Sequence, residues 1–467
     1  MPAEQGKSAP VLQFTGNAKE SAMKFVVIGG DAAGMSAASR AKRNRPELEV
    51  IVLEQTEDVS YSACGMPYNI ADAERAVEDL VVRRAEVFRQ KQGIDLRTGH
   101  RAERIDPGAR TVSGVDTDGK AFELPYDRLL IATGAAPLFP DVPGIDTPGV
   151  VALKQLQDAR RIKALLAAGP VKQAVVLGMG YIALEMVEAL CERGISASMV
   201  KPRPGLLPWL DAELAEKVRK EVESRGVGVH DGREIHRIEE ADGRLSVVCS
   251  DLTLEGELVL SAVGVRPNSD MAADAGLALG PGRAVAVDAR LATSDPNILS
   301  AGDCADAFHV VTQERVWIPL ALRANRAGWA AADNVCGKPT EIEGVAGTAV
   351  FKVFDLQVGR TGLTVAEAER AGFSPAAVTI KSRSRAHAHP GSSTVYIQLV
   401  GDRKTGRLLG AFMVCREGIH RINAAAVALH ANMTVAAFAG TDLAYAPPFG
   451  PVWDPMLTAA NQLVKRL

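Results

Sequence analysis

KFVVIGGDAAG, residues Lys24–Gly34, is the stretch that decides the fold. A short apolar run ends at paired glycines, and a helix of small residues follows through Arg43. Val50–Glu54 (VIVLE) then reads as a second buried strand, which makes a β-α-β unit of the doubly wound kind. Gly29 permits the tight turn from strand to helix, and Gly34 lets helix and strand pack closely. The helix N-terminus is left facing a diphosphate, with Gly30 and Ala33 in the same loop. Asp31 stands where the usual G-x-G-x-x-G pattern has its middle glycine. Glu54 ends the next strand, where an acid would bind a ribose hydroxyl.

The pattern returns further along. Ala174–Gly178 (AVVLG) leads into Gly178-Met179-Gly180-Tyr181-Ile182-Ala183, a G-x-G-x-x-A loop, and Ser198–Val200 is the return strand. Lys201 follows, where an NAD-selecting acid would sit, with Arg203 beyond. These two cations either receive a ribose 2′-phosphate, which favours NADPH over NADH, or belong to a solvated turn. Further buried strands break at glycine in Leu129–Gly134 (LLIATG), Leu258–Gly264 (LVLSAVG) and Asn297–Asp303 (NILSAGD). From about Gly347 the character changes. Thr394–Val400 and Leu408–Val414 alternate as antiparallel strands do, and Arg421–Ala431 reads as a helix. The expected organisation is a disordered leader over 1–23, a first nucleotide unit over 24–146 and a second over 147–270. A return to the first covers 271–345, and an α+β domain covers 346–467.

Across 467 residues the net charge is −3, from 53 basic and 56 acidic side chains, so charge gives no sign of a nucleic-acid partner. Hydrophobic residues make up 47%, enough for a sizeable core, yet no apolar run approaches the roughly 18 residues of a membrane span. The N-terminal residues lack the charged start and apolar stretch of a secretion signal. The six cysteines (64, 191, 249, 304, 336 and 415) include no C-x-x-C, which argues against a local dithiol and a zinc knuckle. Scattered cysteines fit a reducing cytoplasm, and no metal is expected. Five of them read as small buried residues. Cys64 is different, because it lies in Ser60-Tyr61-Ser62-Ala63-Cys64-Gly65-Met66-Pro67-Tyr68, shortly after the first loop. Two nucleotide sites and one isolated, Gly-flanked cysteine suggest a flavoprotein that moves electrons from a nicotinamide onto sulfur, with the substrate supplying the second sulfur.

Seven motifs in order carry a family resemblance: GGDAAG, the Cys64 segment, ATG at 132–134, GMGYIALE, VGVRPN at 263–268, SAGDCAD at 300–306 and YAPPFGPVWDP at 445–455. On these the chain resembles the FAD- and NAD(P)-dependent pyridine nucleotide–disulfide oxidoreductases, in their single-cysteine branch. The resemblance implies that 24–146 and 271–345 bind FAD, that 147–270 binds NAD(P)H, and that 346–467 forms a homodimer. It implies that Asp303 binds the ribityl chain of FAD, with Thr133, Gly134 and Gly264 among the cofactor contacts. Tyr181, beside Ile182, resembles a gate over the flavin, and Glu185 an anchor for the nicotinamide carboxamide. Cys64 would face the other side of the flavin at a helix N-terminus, which favours its thiolate.

Cys-Gly-Met-Pro-Tyr and YAPPF resemble the coenzyme A-disulfide reductase group. Arg43 and Ser60 resemble positions that contact coenzyme A; Arg43 is suited to a phosphate, though a helix-end arginine is equally a solvated residue. Ala32 replaces a histidine frequent in the oxidases and peroxidases, which counts against peroxide chemistry. The coenzyme A-handling relatives carry Tyr-Tyr-Pro-Gly where this chain has Ala388-His389-Pro390-Gly391. That leaves Tyr445 as the aromatic donor to the partner's site. His389 is either a proton donor to a leaving thiolate or a surface loop residue. The implied activity is NADPH-dependent reduction of a coenzyme A-linked disulfide through a mixed disulfide on Cys64. Three alternatives stand beside it. One is a persulfide or polysulfide reductase, whose relatives often carry a rhodanese domain not seen after YAPPF. The others are an NADH oxidase, disfavoured by Ala32 and Lys201, and a flavin reductase serving a small redox protein.

Overall fold

The computed structural model describes residues 23–467, so the leader expected over 1–23 lies, but for Met23, outside the described residues. The Lys24–Ile28 strand is central to a parallel sheet. The order is Ile298–Ser300, Arg128–Ile131, Lys24–Ile28, Glu49–Leu53, Asp95–Arg97. Alternate residues serve opposite faces. Phe25 and Val27 pack with Ala37, Ala38 and Ala331 of the helices Ala32–Asn44 and Ala321–Val335. Val26 and Ile28 join Ile105 and Val112 of an antiparallel three-stranded layer, His100–Asp106, Thr111–Asp116 and Ala121–Pro125. Both faces are covered, so the strand is apolar throughout. Val26 and Val27 have no exposed surface, and burying each stabilises the fold by about 1.5–3 kcal/mol. The small residues of GGDAAGMSAAS also have a packing reason. A Cβ placed on Gly328 would lie 2.2 Å from the Ala33 carbonyl oxygen, so the two helices touch backbone to backbone.

The same construction recurs in the second unit. Its parallel sheet runs Gly228–Asp231, Ser196–Lys201, Gln173–Leu177, Leu258–Ser261, Val150–Ala152. The helices Tyr181–Glu192 and Ala212–Ser224 cover one face, and the antiparallel strands Ile235–Ala241, Arg244–Cys249 and Thr253–Gly256 the other. The C-terminal part is a five-stranded antiparallel sheet in the order Ala349–Val353, Leu356–Gly362, Leu408–Cys415, Thr394–Asp402, Pro375–Arg383. Here one expectation is corrected. Leu408–Cys415 does not alternate between core and solvent: all eight residues are buried. As the central strand it is covered on both faces, with the helix Ile422–His430 on one side. No helix among the described residues is long and apolar enough to cross a membrane.

Candidate active site

Both glycine loops are forced by backbone proximity. Gly29 has φ +111°, and a Cβ there would meet the Ala132 carbonyl oxygen at 2.2 Å; Gly178 has φ +115° and would meet that of Ala262 at 2.3 Å. A Cβ on Gly34 would sit 1.9 Å from the Gly29 carbonyl oxygen, which is the close helix–strand approach a diphosphate cradle needs. Beside the first loop opens a cavity of about 1140 Å³, above the roughly 300–1,000 Å³ of a single small-ligand site. Gly29, Gly30, Ala33 and Glu54 line it, as do Thr133, Gly134 and Asp303. From the second unit come Tyr181, Ile182 and Glu185, and Cys64 is the one cysteine on its wall. An extended dinucleotide with a flat ring system fits this cradle and volume. Gly34, Gly178, Gly180 and Gly264 do not line the cavity.

The electrostatics are set by burial. Glu54 accepts from the Gly30 N–H at 2.8 Å and from Thr56, which places a carboxylate at the strand end beside the loop. Among the described residues the Asp31 carboxylate accepts only the Tyr61 N–H, at 3.3 Å, and burial pushes its carboxyl up to about 6. Glu185 accepts a 2.8 Å hydrogen bond from the Tyr68 hydroxyl. Burial raises the Glu185 carboxyl and Tyr68 counteracts it. The Tyr68 phenol is raised in turn, by burial and then by Glu185. Asp303 Oδ2 lies 2.8 Å from Lys154 Nζ. The Tyr181 ring is 6.2 Å from that of Phe351, which meets Trp209 edge-on at 6.3 Å.

Cys64 lies in the short helical turn Ala63–Gly65, which runs directly into the helix Met66–Ala71 and so forms its N-terminal turn. Cys64 is exposed and lines the cavity. Burial and the Glu185 carboxylate push its thiol up, and Lys154 opposes them.

Several other candidates lie away from this cavity. Lys201 ends its strand opposite Asp231, and burial and Arg203 depress its ammonium against the pull of Asp231. Neither Lys201 nor the exposed Arg203 has an ion-pair partner among the described residues, so both charges are available at the second loop. Arg43 is exposed and off the cavity wall. Ser60 is also off it. With φ +49°, it spends its backbone on Gly30 and Val82, tying the Cys64 segment to the glycine loop. Tyr445 is exposed and His389 half-buried, and both lie outside their own chain's cavity. Their segments are nonetheless tied together, because the Ala386 N–H donates to the Pro447 carbonyl at 3.0 Å. Beside them Phe449 is 78% exposed and Trp453 64%, an apolar face left uncovered by the described residues.

Sequence reading missed Lys154, Tyr68, Trp209 and Phe351. Lys154 left one signal, as the first cation after the short apolar run Val150–Leu153; the others needed the folded chain.

Residues 23–328 match the family described as pyridine nucleotide-disulphide oxidoreductase, and 348–456 match its dimerisation domain. A Pyrococcus horikoshii protein named NAD(P)H coenzyme A polysulfide/persulfide reductase is 38% identical over 446 residues, covering 94% of this chain and 98% of that one. The solved structure of an NAD-dependent persulfide reductase from A. fulgidus has a TM-score of 0.92 at 34% identity, over 95% of this chain and 83% of that one. Reduced Bacillus anthracis CoADR-RHD also gives a TM-score of 0.92, at 32% identity over 95% of this chain and 80% of its own.

Proposed function

We propose, from the premise that the chain belongs to the pyridine nucleotide-disulphide oxidoreductase family, that this enzyme reduces a coenzyme A-linked sulfur–sulfur bond with NADPH. One observation carries the reading: Cys64 stands alone among cysteines on a cavity walled by both nucleotide units. With no second cysteine beside it, an internal disulfide cannot form there, and the other sulfur comes from the substrate. The Cys64 thiolate attacks the substrate disulfide, forms a mixed disulfide and releases one coenzyme A thiolate. Bound FAD supplies the two-electron relay between nicotinamide and sulfur. The overall balance is one NADPH and one proton consumed, two thiols and NADP⁺ formed.

The chain's residues divide this work. Gly29, Gly30, Ala33 and Gly34 cradle the flavin diphosphate, Glu54 its ribose, and Thr133, Gly134 and Asp303 its remaining length. Gly178 and Gly180 receive the nicotinamide dinucleotide, with Lys201 and Arg203 on its 2′-phosphate. Tyr181 swings aside to admit the nicotinamide, and Glu185, fixed by Tyr68, takes its carboxamide. The enzyme works as a cytoplasmic homodimer. The exposed Phe449–Trp453 face is covered by the partner, and Tyr445 and His389 reach the partner's cavity.

A second reading, reduction of a coenzyme A persulfide or polysulfide, is favoured by the name of the Pyrococcus relative. That relative is matched over 98% of its length. Both readings begin with the same attack by Cys64. Mass spectrometry of protein purified without reductant should find a coenzyme A-sized adduct on Cys64. Steady-state rates with coenzyme A disulfide, coenzyme A persulfide, peroxide and dioxygen then separate the substrates, with sulfide release marking the persulfide. A kcat/KM for peroxide above that for both sulfur substrates would overturn the proposal.

A further inference from the structure

We propose that Phe351, carried by the C-terminal domain, is the positioning residue that holds the Tyr181 ring closed, so that admitting the nicotinamide means parting a contact between domains. The inference rests on Tyr181 being the gate of the second nucleotide site. It does not depend on which sulfur compound is reduced.

Tyr181 is the first residue of the helix Tyr181–Glu192, directly after Gly180. Its ring is 39% exposed and lies on the cavity wall. Among the described residues its hydroxyl makes no hydrogen bond, unlike that of Tyr68, and its one ring partner is Phe351, at 6.2 Å and 40°.

Phe351 is held from several sides. It is the middle residue of the edge strand Ala349–Val353, where alternation leaves Val350 47% exposed and Phe351 only 8%. That strand is fastened to the helix that begins with Tyr181. Lys352 pairs with Glu188, and the Phe354 N–H donates to the same carboxylate at 2.8 Å. Glu188 lies two turns beyond Tyr181, on the same face of the helix. Behind Phe351 the stack continues. Trp209 meets it edge-on at 6.3 Å, and the Arg360 guanidinium lies over Trp209 at 5.3 Å and over Phe412 at 5.8 Å. Arg360 is itself fixed by the Gly362 carbonyl at 3.1 Å and by Glu367 at 3.3 Å. The stack therefore spans the boundary between the second unit and the C-terminal domain, and Tyr181 is its free end.

A tilted ring pair at this spacing favours the closed position by about two- to tenfold. That keeps the gate shut over an empty site and still yields to an entering nicotinamide. A ligand that needs the open form loses affinity in proportion to the fraction closed.

The test is calorimetric titration of the oxidised holoenzyme with NADP⁺, which carries the nicotinamide, and with 2′,5′-ADP, which carries only the adenosine end. Phe351→Leu keeps apolar bulk without the ring. It should lower the Kd for NADP⁺ about two- to tenfold and leave that for 2′,5′-ADP unchanged. In a Tyr181→Ala background the same substitution should change neither. Flavin content and melting temperature identify a variant that has not folded, for which Phe351→Met carries the same test. If the parent takes NAD⁺ rather than NADP⁺, NAD⁺ and ADP serve as the pair. An affinity for the nicotinamide ligand that is unchanged or weakened in a folded variant would overturn the proposal. So would an equal shift for both ligands, or a shift that persists without the Tyr181 ring. Failure of the coenzyme A reading leaves these titrations as they are, so the two readings fail separately.

Discussion

Tyr68→Phe removes one hydroxyl and tests how Glu185 is held. In the parent that hydroxyl donates to Glu185 Oε1 at 2.8 Å, against burial that favours the neutral acid. A hydrogen bond to a charged group contributes about 1.5–3 kcal/mol. Tyr68 is 45% exposed, so water replaces part of the loss and about 1 kcal/mol is the better figure. At 1.36 kcal/mol per pKa unit this raises the Glu185 carboxyl by about 0.7 units. The sign follows from which form loses its partner. The hydroxyl stabilises the carboxylate, so without it the neutral acid persists to higher pH. Stopped-flow reduction of the flavin by NADPH, followed from pH 5.5 to 9, reads this directly. The acid limb should move up by that amount, while the alkaline plateau and flavin content stay as in the parent. An unmoved acid limb, with reduction slowed equally at every pH, would refute the idea that Tyr68 acts through the charge on Glu185.

Three other outcomes are expected. Lys201→Glu should erode a preference for NADPH by about 1.5–3 kcal/mol in relative kcat/KM, the loss of one charge-assisted phosphate contact; equal use of both nicotinamides by the parent would remove the basis for it. Cys64→Ser should still bind FAD and accept hydride from NADPH but fail to reduce disulfides, because serine cannot form the mixed disulfide. The long-wavelength thiolate–flavin absorbance of the two-electron-reduced parent should vanish with it, and retained disulfide turnover would rule the mechanism out. Trp453→Asp, on the exposed C-terminal face, should shift sedimentation toward the monomer and lower disulfide turnover more than flavin reduction by NADPH. A dimer of unchanged stability would show that this face is not the interface.

What was legible in the sequence was what short range determines. Gly29 and Gly178 ended their strands in the expected turns because a carbonyl stands about 2 Å from where a Cβ would be. The buried strands were visible because parallel sheets covered on both faces need unbroken apolar runs. The two antiparallel layers at 100–125 and 235–256 were not, since their strands are short, charged and half exposed. Leu408–Cys415 was recognised as a strand but its double burial was not, because that depends on the helices laid over it. In the site, Cys64 announced itself by its glycine and its isolation. Its electrostatics did not, since Lys154 and Glu185 are brought to it by the fold from the second unit. Tyr445 and His389 were readable as types, but their own chain gives them no cavity to enter.

The backbone contact between Gly328 and Ala33 bears on how the flavin is gained and lost. The two helices meet backbone to backbone at this point and are tied by the Arg40–Asp333 ion pair, so the glycine loop at the start of one is braced before any ligand arrives. The entropy of ordering that loop is lost once, when the chain folds, and not again at each binding event. Stripped of its cofactor, the protein should keep its melting cooperativity and take the flavin back in a single kinetic phase, with no slow rearrangement after the first encounter.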